Sequence, residues 1–288
     1  MSIFFCDSNC ELWYEKIDEL GVQFISMPYV IDDEEIYYDL GRNTDFKNFY
    51  DKVRKGAVVK TTALNEYDYI RYFEPFLQKG EDIIYVHFSS EMSGTFQSMN
   101  KAINALKEQY PDRCIKTVDT LSISMGAGLI VYEAAKLWAQ GTNIDEIIKW
   151  VEDNRFNYAE YFIVEDLKYL KAGGRISPTV AFIGKCLNMK PILNLSQEGK
   201  IDKVATARGT KQGMNMLVDY MKQIGENVAD HPIVIIHADN EPFANYLKQE
   251  VVNVVGEGAD IWVQPVGPVI GSHAGPGTIG LIFHSKHR

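Results

Sequence analysis

The chain has 288 residues, of which 46% are hydrophobic and 24% are charged. This composition is typical of an ordinary soluble protein and excludes a fibrous or disordered chain. The formal net charge of −10, from 39 acidic and 29 basic side chains, opposes a polyphosphate backbone, so we expect no nucleic-acid partner.

The cysteines and the lack of long apolar runs bear on the compartment. Cys6, Cys10, Cys114 and Cys186 form no C-x-x-C pair and have no histidine at zinc-finger spacing, so we expect reduced thiols and no structural metal site. No stretch approaches the roughly 18 apolar residues of a membrane span, and the first residues become acidic too early for a signal peptide. We therefore expect a cytoplasmic protein that does not span a membrane.

The first half of the chain alternates short β-rich runs with helix-period segments, which is typical of an α/β fold. Strands are predicted at residues 3–6, 83–88 and 114–118, each followed by a polar loop. Helices are predicted at residues 66–77, 97–109, 129–140 and 145–154, the last with Thr142 or Asn143 as its N-cap. We expect a mainly parallel sheet with helices on both faces, in a three-layer α/β/α domain.

The sequence pattern changes after Asn154, and this change predicts a second domain. One domain usually has about 100–200 residues, so we divide the chain into residues 1–157 and residues 158–288. Strands are predicted at residues 161–167, 191–195, 203–207, 233–238, 261–265 and 278–284. Helices are predicted from Ser177 and at residues 210–224 and 242–254. This order predicts a second α/β domain with a mixed sheet.

Hydroxyl groups near two helix starts are candidates for binding an anion. In open α/β sheets, ligands bind beyond the carboxyl ends of the strands, and there Ser93 precedes a helix whose N-terminal N–H groups suit an anionic oxygen. Thr61 and Thr62 similarly precede the helix at 66–77. Helix capping is the alternative, about as well supported for Ser93 and better supported for the two threonines.

Two basic side chains in glycine-rich segments are further candidates. Arg175 follows two glycines in KAGGRISP, where it has the freedom to turn inward and donate two hydrogen bonds to one carboxylate. His273 lies between glycines and prolines in GPVIGSHAGPGTIG, which predicts a rigid turn with an imidazole able to donate to an anion. A surface arginine and a structural histidine are the alternatives.

Nucleotide-binding and catalytic motifs are poorly matched. GPGTIG has the spacing of G-x-G-x-x-G but no acidic residue about twenty positions further on, so we reject a dinucleotide site. No G-x-x-x-x-G-K-[ST] loop is present for ATP. A triad of Ser93, His273 and Asp7 is conceivable, but no G-x-S-x-G elbow supports it.

Blocks along nearly the whole chain resemble one known family. In order they read FCDSNCEL, KTTALN, SSEMSGTFQS, VDTLSISMGAGLIVYEAA, DLKYLKAGGRISPTVAFIGKCLNMKPIL, DKVATARGTKQG and GPVIGSHAGPGTIGLIF. Together they resemble the DegV family, bacterial fatty-acid-binding proteins that serve fatty acid kinase as acyl-donor subunits. The resemblance implies a two-domain DegV-like α/β fold with the fatty acid between the domains.

The resemblance also implies which residues contact the ligand. The carboxylate-binding set is Thr61 or its neighbour Thr62, Ser93, Arg175 and His273. The chain reads TTAL where the family often has Thr-Ser-Gln-Pro, so the choice between the two threonines stays open. An apolar tunnel for the tail is expected to include Met125, Phe182, Ile183 and Leu187, with ordinary core packing as the alternative.

The implied function is lipid binding without catalysis and without a cofactor. In the systems that the resemblance points to, a separate ATP-dependent kinase subunit phosphorylates the bound carboxylate, and the acyl phosphate enters phospholipid synthesis. Arg208 and Lys211 are candidates for contact with the kinase or, transiently, with a membrane surface. A solvated charged face is the alternative for these two residues.

Two other functions compete with a lipid carrier. The main alternative is a hydrolase that uses Ser93 and His273 on a lipid or small ester, and the third is a lipid-responsive regulatory module. The Ser93→Ala variant separates the first two functions. A carrier would retain lipid binding at reduced affinity, whereas a hydrolase would lose turnover. A regulatory module would show ligand-dependent association with a protein other than a kinase.

Overall fold

The computed structural model describes residues 2–177 and 188–288. The chain folds into two compact units, each built from two segments. The first unit comprises Met1–Thr44 and Lys60–Arg155, and the second comprises Asp45–Val59 and Phe156–Arg288.

The segment Asp45–Val59 corrects the division at 157/158, because it belongs to the second unit although the first unit surrounds it in sequence. It contains helix α2 (Phe46–Arg54), whose buried Tyr50 donates a hydrogen bond from its hydroxyl to the Val266 carbonyl oxygen at 2.7 Å. A short amphipathic helix carries no signal for the core that it joins, so the exchange was not predicted.

The first unit is built around a parallel sheet. Its strands are β1 (Ser2–Asp7), β2 (Gln23–Ile25), β3 (Pro28–Ile31), β4 (Glu34–Tyr37), β5 (Lys60–Thr61), β6 (Asp82–His87) and β7 (Ile115–Asp119). Four of them pair in parallel in the order β2-β1-β6-β7. Phe4, Phe5, Ile83 and Ile84 on the inner strands are almost fully buried, as expected for a parallel sheet covered on both faces. The predicted parallel sheet is confirmed.

The first unit contains the four helices that the sequence pattern predicted and one that was not predicted, at Tyr14–Leu20. They are α1 (Tyr14–Leu20), α3 (Glu66–Leu77), α4 (Thr95–Gln109), α5 (Ser124–Ala139) and α6 (Ile144–Asn154). The Asn143 side chain caps α6 by accepting from the Glu146 N–H, as one of the two predicted caps. Helix α5 begins earlier than predicted, since Gly126 and Gly128 weaken the helical signal of its first turns.

A second, smaller sheet of this unit was not predicted. Strands β4, β3 and β5 form it in that order, with antiparallel pairing. The strands are only two to four residues long, too short for a periodic pattern to stand out. Strand β4 also exposes Glu34 and Glu35, which are unusual residues for a strand.

The second unit contains the mixed sheet. Its strands are β8 (Tyr158–Ile163), β9 (Met189–Leu195), β10 (Ile201–Arg208), β11 (Ile233–His237), β12 (Ile261–Pro265) and β13 (Ile279–His284). The order is β10-β9-β8-β13-β11-β12, with β11 and β12 parallel and the other pairs antiparallel. The predicted mixed sheet is confirmed. Only the strand predicted at 161–167 is displaced, because β8 ends at Ile163.

The helices of this unit complete its core. Besides α2 they are α7 (Lys168–Ala172), α8 (Thr210–Ile224), α9 (Glu241–Val255) and α10 (Pro268–Ala274). Helix α8 buries Met214, Leu217 and Met221, and α9 buries Leu247 and Val251, in one apolar cluster with the sheet. Their three- and four-residue spacing is that of one helix face. The helix predicted from Ser177 lies outside the described residues apart from its first residue.

Candidate functional site

Ser93 lies in the loop between β6 and α4 and is half-buried. The N-cap residue of α4 is Gly94, which has no side chain with which to cap the helix. The Ser93 hydroxyl accepts a long hydrogen bond, 3.4 Å, from the Thr95 N–H. Ser93 is therefore placed beside the helix start without being its cap residue, at a helix end that suits an anionic oxygen.

The two threonines do not cap α3, so the capping alternative was wrong for them. The N-cap is Asn65, whose side chain accepts from the Tyr67 and Asp68 N–H groups, while the Asp68 carboxylate accepts from the Asn65 N–H. Thr61 ends β5 and is half-buried, whereas Thr62 is exposed. Thr61 is thus the more buried of the two candidates.

Asp7, the acid of the conceivable triad, is a structural residue. Its fully buried carboxylate accepts from the Asn9 N–H at 3.0 Å, the Tyr85 hydroxyl at 3.0 Å and the Phe88 N–H at 3.1 Å. Burial raises the pKa of Asp7, and the bond from Phe88 lowers it in part. This carboxylate joins β1 to the end of β6 within the first unit and is already occupied by donors.

Arg175 is positioned by the turn that ends α7. Gly174 adopts a positive φ of 70°, a conformation that glycine takes without strain, and the Arg175 N–H then donates to the Leu170 carbonyl at 3.0 Å. The guanidinium donates to the Gly173 carbonyl. Arg175 is half-buried, and burial lowers its pKa, so its charge sits in a poorly solvated place.

His273 corrects one prediction, because it lies in the last turn of helix α10 rather than in a rigid turn. Its imidazole packs against Gly173, where an added Cβ would come closer than 3.0 Å to Nδ1. Burial, and to a lesser extent the nearby charge of Arg175, lowers the pKa of His273 to about 4. The imidazole is therefore neutral at pH 7. The contribution of Gly173 was not predicted from the sequence.

The second unit thus brings together two of the residues selected from the sequence. Arg175 carries a positive charge that opposes the protonation of His273, and both side chains are partly removed from water. An anion placed beside such groups compensates the charge of Arg175 and accepts hydrogen bonds from the guanidinium and from an imidazole N–H. The pair is chemically suited to a carboxylate or another small oxyanion.

Similarity to known proteins extends over nearly the whole chain. A family model described as "Uncharacterised protein, DegV family" matches residues 4–286. A DegV domain-containing protein of Clostridium perfringens is 36% identical over 281 residues, covering 98% of this chain and 96% of the relative. The chain belongs to the DegV family. A DegV domain-containing protein of Lactococcus lactis is 32% identical over 97% of this chain and 96% of its own length.

Solved DegV structures share the fold. A DegV family protein from Thermus thermophilus, reported for its fatty acid binding, superposes with a TM-score of 0.86 at 28% identity, covering 98% of this chain and 99% of that one. DegV of Bacillus subtilis, reported as a fatty acid binding protein, gives a TM-score of 0.84 at 26% identity, covering 99% of each chain. The DegV-like fold with a parallel-sheet and a mixed-sheet domain is confirmed.

The residues that we predicted for the tunnel of a DegV protein are only partly visible. Met125 is fully buried in α5, where its sulfur packs close to Gly128. This burial is compatible with core packing and with a tunnel wall, so the lining role stays a prediction. Phe182, Ile183 and Leu187 lie outside the described residues.

The two basic residues that we predicted for partner contact are exposed. Arg208 ends β10, and its N–H donates to the Gln212 side chain at 2.7 Å. Lys211 lies in α8 with its ammonium 5.3 Å from the centre of the Tyr246 ring. Their exposure agrees both with contact to a partner and with a solvated charged face, so the partner contact stays a prediction.

Three further observations concern the glycine motif, metal ligands and membrane-spanning helices. The glycine motif at 275–280 leads into strand β13 rather than into a helix, which confirms the rejection of a dinucleotide turn. Within residues 2–177 and 188–288, no group of three or more His, Cys, Asp or Glu side chains is arranged to hold a metal ion. In the same part of the chain, no helix has the length and apolar character needed to cross a membrane.

Proposed function

We propose that this DegV protein binds a long-chain fatty acid without transforming it, and that Arg175 and His273 hold the carboxylate. The observation that carries the proposal is that both side chains contact Gly173: its carbonyl accepts a hydrogen bond from the Arg175 guanidinium, and the His273 imidazole packs against it. Burial, and to a lesser extent the charge of Arg175, also lowers the pKa of His273 to about 4. A bound carboxylate would accept hydrogen bonds from both groups and compensate the charge of Arg175. Such compensation is required wherever a carboxylate leaves water.

The fatty acid as the ligand is supported by similar proteins. The Thermus thermophilus and Bacillus subtilis structures, at 28% and 26% identity, are both named for fatty acid binding. Burial of the tail contributes about 0.8 kcal/mol per CH₂ group, so roughly sixteen methylenes contribute on the order of 12 kcal/mol before ordering costs. Tail burial therefore sets most of the affinity, and the basic pair sets the orientation.

Hydroxyl groups of the first unit are also proposed to contact the carboxylate. The family resemblance assigns Ser93 and Thr61, or Thr62, to the carboxylate. The position of Ser93 beside the start of α4 and the partial burial of Thr61 support these assignments. Met125 and the apolar residues Phe182, Ile183 and Leu187 are proposed for the tail.

The finer part of the proposal concerns the fate of the bound lipid. We infer from the family resemblance that a separate ATP-dependent fatty acid kinase phosphorylates the carboxylate while this protein presents it, in the cytoplasm. The exposed Arg208 and Lys211 are the residues proposed to meet the kinase or a membrane surface. The chain itself supplies the binding site and no cofactor.

The hydrolase alternative has less support. Asp7 would have to orient the histidine of a Ser93 triad, but its carboxylate already accepts three hydrogen bonds in the first unit. A histidine with a pKa of about 4 is also a weak general base near pH 7.

The test is to identify the lipid that the protein carries. The full chain, purified natively from a bacterial host, is denatured, extracted with organic solvent and analysed by mass spectrometry. We expect a near-stoichiometric long-chain fatty acid that is strongly depleted in Arg175→Ala and retained in the control Arg71→Ala, which alters an exposed arginine of α3. A lipid-free extract, together with no uptake of added palmitate or oleate, would refute the proposal.

A further inference from the structure

Helix α10, which carries His273, packs through close contacts between glycines and large side chains. An added Cβ would come closer than 3.0 Å to His273 at Gly173, to the Tyr50 hydroxyl oxygen at Gly271 and to the Tyr169 ring at Gly275. Real Cβ atoms essentially never approach other atoms so closely. The close seating of α10 therefore depends on the absence of side chains at these three positions.

At Gly173 the reason for glycine is space rather than backbone conformation. Its φ of −74° is ordinary for any residue, unlike the positive φ of the neighbouring Gly174. Its N–H donates to the Tyr169 carbonyl at 2.9 Å, and its carbonyl accepts from the Arg175 guanidinium. Because hydrogen bonds hold the Gly173 backbone on both sides, a methyl group there would displace the imidazole.

Tyr50 supports the same helix from α2. Its hydroxyl group and the ring carbon that bears it lie over Gly271 in the middle of α10, in the space that an added Cβ would need. Its hydroxyl donates to the Val266 carbonyl at 2.7 Å, two residues before the first residue of α10, and the side chain is fully buried. The segment that crosses into the second unit thus contacts both the approach to α10 and its middle turn.

We propose that Gly173 and Tyr50 are positioning residues for carboxylate recognition, which fix the His273 imidazole beside the Arg175 guanidinium. Neither residue needs to touch the ligand. Binding groups work best when packing locks their conformation, and small displacements weaken binding. This inference rests on the proposed fatty acid binding and adds to it the residues that shape the head-group site.

The first experiment measures palmitate dissociation constants for the delipidated protein and five variants, which are Gly173→Ala, His273→Ala, the double variant of these two, Tyr50→Phe and Gly258→Ala. Gly173→Ala is expected to weaken binding on the order of tenfold or more. In a His273→Ala background the same substitution is expected to change affinity less than twofold, because its target is already gone. Gly258→Ala is the control, since its added Cβ meets nothing within 4 Å at an ordinary φ.

The second experiment follows the ionisation of His273 by NMR in the unliganded protein. In Gly173→Ala the displaced imidazole gains water, so its pKa is expected to rise from about 4 towards 6.5. A merely structural loss of stability would leave this value unchanged in the folded protein. Tyr50→Phe keeps the ring and removes the hydroxyl, and it is expected to give a smaller pKa shift in the same direction. This variant tests the positioning role even if Gly173→Ala does not fold.

The outcomes separate the two proposals. If the wild-type protein does not bind palmitate, the proposed function fails. If the wild type binds and His273→Ala weakens binding, but Gly173→Ala and Tyr50→Phe match Gly258→Ala in affinity and leave the pKa of His273 unchanged, only the positioning role is overturned. Full additivity of Gly173→Ala and His273→Ala would overturn it as well.

Discussion

Two polar clusters, one in each unit, are buried in different ways. In the first unit the Asp7 carboxylate accepts three hydrogen bonds from Asn9, Tyr85 and Phe88, and the Tyr69 and Thr95 hydroxyls bond to each other at 2.9 Å. In the second unit, by contrast, the Arg175 guanidinium and the His273 imidazole both contact Gly173, and burial together with the charge of Arg175 opposes protonation of His273. The first cluster pairs donors with an acceptor, whereas the second brings two basic groups together.

This contrast separates structural from functional polar groups. A buried acceptor surrounded by donors holds its neighbours in place, and its loss destabilises the fold. Two adjacent basic groups add little to folding and gain from an added anion. Substitutions in the first cluster should therefore act on stability, and substitutions in the second on ligand affinity.

The largest expected effect is on folding, in Asp7→Ala. Loss of the carboxylate leaves three buried donors without their acceptor, so we expect the free energy of unfolding to fall by about 3–5 kcal/mol. Urea denaturation of the lipid-free protein measures it. Asp112→Ala, at an exposed position, should stay within about 0.5 kcal/mol of wild type. Wild-type stability in Asp7→Ala would contradict the structural role of this carboxylate.

The next effect is on affinity, in Arg175→Ala. Loss of a charge-assisted partner of the carboxylate should weaken palmitate binding by about 2–3 kcal/mol, roughly 30- to 150-fold. The free energy of unfolding of the lipid-free protein should hardly change, because a positive charge in a poorly solvated place adds little to folding. Titration calorimetry and urea denaturation report the two quantities, with Arg71→Ala as the control. A variant that loses stability but keeps its affinity would show that Arg175 is structural.

A smaller effect is a pH dependence from His273. Its pKa is about 4 when folded and 6.5 in the ordinary case, so the unfolded chain takes up this proton first as the pH falls. Stability should consequently be lost between about pH 6.5 and pH 4, by about 1–2 kcal/mol at pH 5. His273→Asn should lack this component, which the difference between the two urea-denaturation profiles isolates. Parallel profiles would place the imidazole in water.

The smallest effect concerns the two threonines. Removal of one hydroxyl hydrogen bond should weaken palmitate binding by about 1 kcal/mol, roughly fivefold. We expect this loss in Thr61→Val, because Thr61 is half-buried, and less than a twofold change in Thr62→Val, because Thr62 is exposed. Binding titrations decide between them, and the reverse order would assign the contact to Thr62.

Long periodic helices and strands were predictable from the sequence. The assignment of α2 to the second unit was not. Strand β12 and helices α3 and α8 begin and end at the predicted residues, because their apolar spacing is regular over many residues. Strands β3, β4 and β5 are too short to show a period. The place of α2 in the second unit depends on Tyr50 reaching Val266, a contact 216 residues away in sequence.

The sequence predicted which side chains belong to the candidate site. It did not predict which residues hold those side chains in place. Arg175 and His273 stand out because basic side chains occur within glycine-rich segments. Gly173 looks like one of two equivalent turn glycines, yet only Gly174 takes a positive φ, while Gly173 makes room for the imidazole. Such a steric role depends on a residue 100 positions further along the chain, which local sequence patterns do not report.

The most direct measurement is a pH titration of carboxyl-¹³C-labelled palmitate bound to the wild-type protein, followed by NMR. If Arg175 and His273 hold the carboxylate, the bound carboxyl should stay ionised well below its usual pKa range, and this shift should disappear in Arg175→Ala. A bound carboxyl that titrates at or above its usual pKa, or that is unchanged by Arg175→Ala, would contradict binding by the basic pair.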